Sequence, residues 1–196
     1  MSTRRNIVWF RRDLRISDHP ALVAAIENSD EIIPVFILDK TQIAEAGAKL
    51  LAYMGQSLRA LDESLGNKLH IIEGDQVEVL KELIELYGVA EVHISTEYER
   101  YGAERDVRVE KAGINLIRTG SSYAVAPGRV LKPSDETPYR VYTPFYKAWC
   151  VHGWRKPVAA PKNLNLVTPI SADRNFPEWK VPEGTVISKA GEAAAL

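Results

Sequence analysis

Residues 7–22 read IVWFRRDLRISDHPAL, and the character of the fold turns on them. Ile7, Val8, Trp9 and Phe10 run without a polar break and stop at a pair of arginines. A strand buried on both faces of a sheet reads this way when it reaches the sheet's end. The polar stretch Arg11–Asp18 is then a turn, and a helix is expected to follow it. Asp18 is placed to cap that helix, with Pro20 near its first turn, where a missing N–H costs nothing.

The same alternation continues outward. Further short apolar runs lie at Val35–Leu38, Leu69–Ile72, Val92–Ile94 and Ile114–Ile117. Between them Leu51, Met54, Leu58, Leu61 and Leu65, and later Leu80, Leu83, Ile84 and Tyr87, recur at helical spacing. Gly66, Gly88 and Gly113 stand where C-terminal helix caps are expected. Repeated strand–helix units predict an α/β fold, a Rossmann-like open parallel five-stranded sheet in the order 3-2-1-4-5 with helices on both faces. Pro34 cannot donate to a ladder and is expected at a strand's first position.

After Ile117 the alternation stops and prolines crowd in, from Pro127 to Pro182. The expected division is an α/β domain over 1–130, a long Pro-rich linker with one short helix over 131–189, and the first turns of another domain over 190–196. Phe145, Tyr146 and Trp149 in the short helix are expected to pin the linker to the sheet.

Composition narrows the function classes. A chain of 196 residues that is 45% hydrophobic and 26% charged suits one globular domain with an appended segment. A formal net charge of −1 argues against a surface that grips nucleic acid throughout. The local exception is Arg4, Arg5, Arg11, Arg12 and Arg15, whose default reading is a solvated face. The single Cys150 forms no internal disulfide, no run of about 18 apolar residues offers a membrane span, and the setting expected is reducing and cytoplasmic. The four histidines lack metal-ligand spacing, so no metal site is expected. Neither G-x-G-x-x-G, the P-loop nor G-x-S-x-G occurs, which removes the usual support for dinucleotide, nucleoside-triphosphate and hydrolase chemistry. In the expected strand order, the segments after strands 1 and 4, RRDLRISD and STEYERY, converge on one crevice.

The pattern W-F-R-x-D-L-R-x-x-D-x-x-A-L, present as Trp9, Phe10, Arg11, Asp13, Leu14, Arg15, Asp18, Ala21 and Leu22, resembles the DNA photolyase and cryptochrome family. VFILD from Val35, QSLRALDESL from Gln56, Tyr98 and Glu99 with Arg105 and Asp106, and PYRVYTPFYKAW from Pro138 follow in the family's order. The resemblance implies a domain holding a light-harvesting antenna pigment, joined in cis to an all-helical domain that contains FAD and acts on damaged DNA. The residues from Ala190 look like the start of that helical domain, so no repair residue is assigned here, and the enzyme activity belongs to the full-length protein.

Carried over position by position, the resemblance implies pigment contacts at Arg11, Arg12, Leu38, Asp39, Glu97, Tyr98, Glu99 and Tyr101. Folate-binding members carry an Asn-Glu pair where this chain has Tyr101-Gly102. That departure favours an 8-hydroxy-deazaflavin or a flavin over methenyltetrahydrofolate. Plainer readings stand beside these. Glu97 and Glu99 precede a helix whose dipole favours negative charge, Asp13, Arg15 and Asp18 suit a turn-locking role, and Cys150 is expected to be inert. The alternatives to a photolyase antenna are the same domain of a cryptochrome photoreceptor, or a free-standing nucleotide-binding module.

Overall fold

The computed structural model describes residues 3–195; Met1, Ser2 and Leu196, which the expected domain ranges include, lie outside them. Five parallel strands form one sheet, β1 (Arg5–Phe10), β2 (Glu31–Leu38), β3 (His70–Glu73), β4 (Val89–Thr96) and β5 (Leu116–Ser121), in the order β3-β2-β1-β4-β5. The expected topology is therefore the one found. Helices α1 (Pro20–Glu27), α2 (Lys40–Glu45), α3 (Ala48–Ser64), α4 (Gln76–Tyr87) and α5 (Arg100–Lys111) connect the strands.

The two-residue period of β1 divides its side chains between two cores. Ile7 and Trp9 join Ile33, Val35 and Ile94 beneath Leu80 and Leu83 of α4 and Val109 of α5. Val8 and Phe10 join Phe36 and Leu38 against Leu22 of α1 and Leu58, Leu61 and Leu65 at the α3 side. Both faces are thus covered, which is why the strands read as continuous apolar runs.

Two local expectations are corrected. Pro34 is the fourth residue of β2, opposite Val8 of β1, and is not at the strand's start. Ile32, of the same parity, donates to Asn165 O (2.9 Å) and accepts from Val167 N (2.9 Å) on the side away from β1. The ring nitrogen of Pro34 faces that side as well, between the 165–167 segment and the start of β3, so no bond to β1 is forfeited. Asp18 is not the α1 cap either. His19 caps α1, its side chain accepting from Leu22 N at 3.1 Å, with Pro20 in the first turn as expected. Asp18 instead sits at φ 47° and accepts from Val158 N (3.0 Å) and Arg155 (2.5 Å), fastening the later chain to the turn after β1.

The Pro-rich segment is wrapped on the sheet by its backbone. Segment 165–167 runs beside β2, and Asn175 N donates to Ile71 O of β3 at 3.0 Å. Leu166 is buried, and Phe176 and Trp179 pack against the α3-side core. The short helix α6 (Tyr142–His152) adds a further correction, since it has no buried residue and its Phe145, Tyr146 and Trp149 do not pin the linker to the sheet. Tyr142, Tyr146 and Trp149 stack on one another along its face at 5.7 and 6.3 Å, and Trp154 adds to Trp149 at 4.7 Å. Their three- and four-residue spacing satisfies them within the helix, and the linker's hold on the sheet falls to 164–179. A final turn, α7 (Glu192–Ala195), returns to the turn after β1, where Glu192 accepts from Ile16 N (2.8 Å) and Ser17 N (3.0 Å).

Candidate functional site

Strand order reverses around β1, with β2 on one side and β4 on the other, and the ends of all three strands open into a slot of about 150 Å³. This is where open α/β sheets bind ligands. Phe10, Phe36, Leu38, Ile43 of α2 and Met54 of α3 form its apolar side. Arg11, Arg12, Glu97, Gln76, Tyr101 and Arg105 supply its polar rim. A wider, open vestibule of about 600 Å³ adjoins it at Asp39, Gln76, Tyr101 and Arg105.

The residues after β1 and β4 interlock beneath the slot. Arg11 is buried, pairing with Asp106 of α5 at 2.6 Å and Glu97 at 3.1 Å and donating to Ser95 O. Arg105 pairs with the same two carboxylates, at 2.9 Å to Asp106 and 3.3 Å to Glu97. Both guanidinium groups lie over the Trp9 ring, 5.1 and 4.8 Å from its centroid. Two cations and two carboxylates therefore neutralise each other in a dry setting. Burial and the neighbouring Arg105 lower the Arg11 pKa, while Asp106, Glu97 and Asp13 oppose them.

Asp13 and His19 brace the turn from the other side. His19 Nδ1 accepts from Leu22 N, so its Nε2 carries the proton toward Asp13 Oδ2, 3.1 Å away. Burial pushes the Asp13 pKa up, but His19, the Ser95 hydroxyl and Arg11 N–H outweigh it and hold the carboxyl well below the usual range.

The expected contact residues separate into three groups. Arg11, Arg12, Leu38, Asp39, Glu97 and Tyr101 all line the slot. Glu99 does not; it pairs with Arg12 at 2.6 Å on the exposed rim. Tyr98 turns away and meets Tyr123 edge-on at 6.0 Å. Sequence patterns did not single out Gln76, Ile43, Met54 or Arg105 as lining residues. The apolar ones are indistinguishable from core positions in a helical stripe, whereas Gln76 carried a usable signal as a buried amide in the first turn of a helix.

Asp39 ties slot to vestibule. Its Oδ2 accepts from Gln76 Nε2 (2.6 Å) and the Tyr101 hydroxyl, and its Oδ1 from Thr41 N (2.9 Å) at the start of α2. Partial burial and then the Asp39 carboxylate push the Tyr101 pKa up to about 12. Tyr101 is thus a fixed, neutral donor at neutral pH.

A doubly wound sheet with a partly apolar slot at its switch point is the arrangement in which open α/β domains hold ligands. A family model described as DNA photolyase matches residues 6–162, and the chain belongs to that family. A deoxyribodipyrimidine photo-lyase of Streptomyces griseus is 32% identical over 178 residues, covering 85% of this chain and 39% of the relative. The crystal structure of a bacterial class III photolyase from Agrobacterium tumefaciens superposes with a TM-score of 0.81 at 29% identity, over 100% of this chain and 43% of that one. An archaeal photolyase from Sulfolobus tokodaii, described with two FAD molecules and a novel light-harvesting cofactor, gives a TM-score of 0.71 at 25% identity, over 83% of this chain and 38% of that one. The chain spans about two-fifths of the length of these relatives. Among the described residues no helix is long and apolar enough to cross a membrane.

Proposed function

We propose that residues 1–130 form the antenna domain of a light-driven DNA repair enzyme, that 131–189 link it, and that 190–196 begin a helical domain carrying FAD and meeting damaged DNA. The slot holds a conjugated pigment whose excitation passes to that FAD. The observation that carries this reading is the slot itself, a narrow space between Phe10, Phe36 and Leu38 on one side and fixed polar groups on the other, at the switch point of a photolyase-family sheet. Energy transfer needs a rigid, dry and oriented chromophore and no bond making. A neutralised charge cluster below and a held Tyr101 at the edge suit that task.

An 8-hydroxy-deazaflavin or flavin fits better than methenyltetrahydrofolate. The carboxylate of Glu97 occupies the space where a Cβ at Gly102 would stand. An Asn-Glu pair at 101–102, the folate-associated sequence, therefore conflicts with the Arg11–Glu97–Arg105 cluster. The cryptochrome reading shares every feature of this site and differs only in what the helical domain does.

The test is reconstitution of the chain with 8-hydroxy-5-deazariboflavin or riboflavin, followed by gel filtration with visible absorbance. The pigment is expected to co-elute, and Ile43→Trp, which fills the slot from the short helix α2, is expected to abolish co-elution at unchanged far-ultraviolet circular dichroism. Equal pigment uptake by Ile43→Trp removes the slot from the reading.

A further inference from the structure

Resting on the pigment reading, we infer that the vestibule selects a pigment whose ring carries an uncharged, hydroxylated side chain, and that Asp75 and Asp39 reject pigments ending in phosphate. A ring seated in the slot leaves by the vestibule, because Asp39, Gln76, Tyr101 and Arg105 border both spaces. Whatever tail the ring bears lies against the vestibule walls.

Those walls carry three cations, Lys40, Arg105 and Arg108, against four carboxylates, Asp39, Asp75, Glu78 and Glu104. Each cation already has a carboxylate partner. Arg108 pairs with Asp75 at 2.6 Å, Lys40 with Glu73 at 3.2 Å, and Arg105 with Asp106 and Glu97. The start of α4, the place in the vestibule where backbone N–H groups would otherwise cradle a phosphate, is filled as well. Asp75 Oδ1 accepts from Val77 N at 2.9 Å and from Glu78 N at 3.3 Å. Burial nudges the Asp75 pKa up, but Arg108 and these two N–H groups hold it below the usual carboxylate range, so the charge persists at neutral pH.

A phosphate entering this space must displace a carboxylate that is already hydrogen-bonded, and it meets Glu78 on the way, while Glu104 is paired with Arg100 at 2.8 Å. A polyol meets acceptors it can donate to, on Asp39, Glu78 and Glu104, and donors it can accept from, on Gln76 and Arg108. Specificity here arises from repulsion as much as from fit.

Riboflavin, FMN and FAD carry the same ring with no phosphate, one phosphate and a dinucleotide tail, and so separate tail from ring. Fluorescence titration of the 196-residue chain is expected to give riboflavin at least about tenfold tighter than FMN or FAD, the size of effect one uncompensated charge has at a partly screened site. Asp75→Asn keeps the helix cap, since asparagine caps as well as aspartate, and frees Arg108. It is expected to narrow the riboflavin-to-FMN ratio by about tenfold, through tighter FMN binding. Glu78→Gln, on the exposed first turn of α4, gives the same direction without touching the cap. Binding of FMN or FAD as tight as riboflavin, or a ratio unmoved in both variants, overturns the inference while leaving the pigment site standing. Failure of all three flavins and of 8-hydroxy-5-deazariboflavin to bind, with the chain folded, removes the pigment reading and this inference together.

Discussion

Two neighbouring arginines divide the labour after β1. Arg11 is paired on three sides inside the protein, whereas Arg12 meets Glu99 with both side chains about half exposed, at 52% and 51%. Removing one member of a buried charge cluster strands the others, so Arg11→Ala is expected to cost about 3–5 kcal/mol of stability. Arg12→Ala is expected to cost less than about 1 kcal/mol. Urea denaturation of the two variants checks the contrast, and equal midpoints would show that the cluster below the slot does not hold the loop. A sequence motif treats both arginines alike, because spacing cannot say which side chain turns inward; the same limit let Tyr98 and Tyr101 look equivalent when only Tyr101 reaches the slot. The buried histidines give a pH prediction. Burial lowers the pKa of His70, against the opposing pull of Asp173, and likewise of His93, against Glu91. A histidine kept neutral in the fold but free to charge when unfolded favours the folded state above about 6.5 and loses that advantage as pH falls, by at most about 1.4 kcal/mol each at one unit lower. The depressed Asp13 acts in the same direction lower still, its contribution fading as pH drops below the ordinary carboxylate range. The urea midpoint is therefore expected to be lower at pH 5.5 than at 7.5, and a higher one at pH 5.5 would contradict the assignment.

The elements were legible to different depths. Apolar runs located β1 to β4, whose apolar residues are largely buried, and the helical stripes located α3 and α4, whereas the run at 114–117 met only the first two residues of β5, whose burial alternates. α2 has no buried residue and so left no stripe to find, although Ile43 brings it to the slot. α6 shows the converse, an aromatic-rich helix whose rings stack along its own exposed face. The start of α5 holds the tightest constraint. Gly102 is ordinary helix, and an alanine there would by propensity alone favour the helix by about 1 kcal/mol. Its Cβ would stand in the Glu97 carboxylate, which must then leave Arg11 and Arg105. Gly102→Ala is expected to lower stability by about 1–3 kcal/mol net and to weaken pigment uptake. A more stable Gly102→Ala protein, read by thermal melting, would show that Glu97 can move without cost.

At the scale of the molecule, the stretch that sequence marks as linker is built into the sheet's covering. Segment 165–167 continues the edge beside β2, Asn175 bonds to β3, and Arg174 reaches Asp62 of α3 at 2.8 Å. Asp62 also accepts from Leu69 N at 2.9 Å, so this one carboxylate joins linker, helix and the entry to β3. Sequence expected the segment to be pinned to the sheet but not where, because prolines break periodicity whether a stretch is solvated or packed, and the contacts fall at 164–179 and not in α6. Pro34 misled in the same way, since what a proline forfeits depends on the neighbour at its own register and not on its place along the strand. A chain ending at residue 130 keeps all five strands but uncovers Ile32, His70 and Ile71 and loses Leu166, Phe176 and Trp179 from the α3-side core. At about 1.5–3 kcal/mol for each side chain fully buried, and less for the two that are partly covered, the loss expected is about 3–6 kcal/mol. That is a large share of the stability of a domain this size. Urea unfolding of chains 1–130 and 1–196 measures it. Coincident midpoints would make the segment a free tether; the expected displacement makes it the third wall of the α/β fold, whose final turn is tied by Glu192 to the same arginine-rich loop that forms the slot.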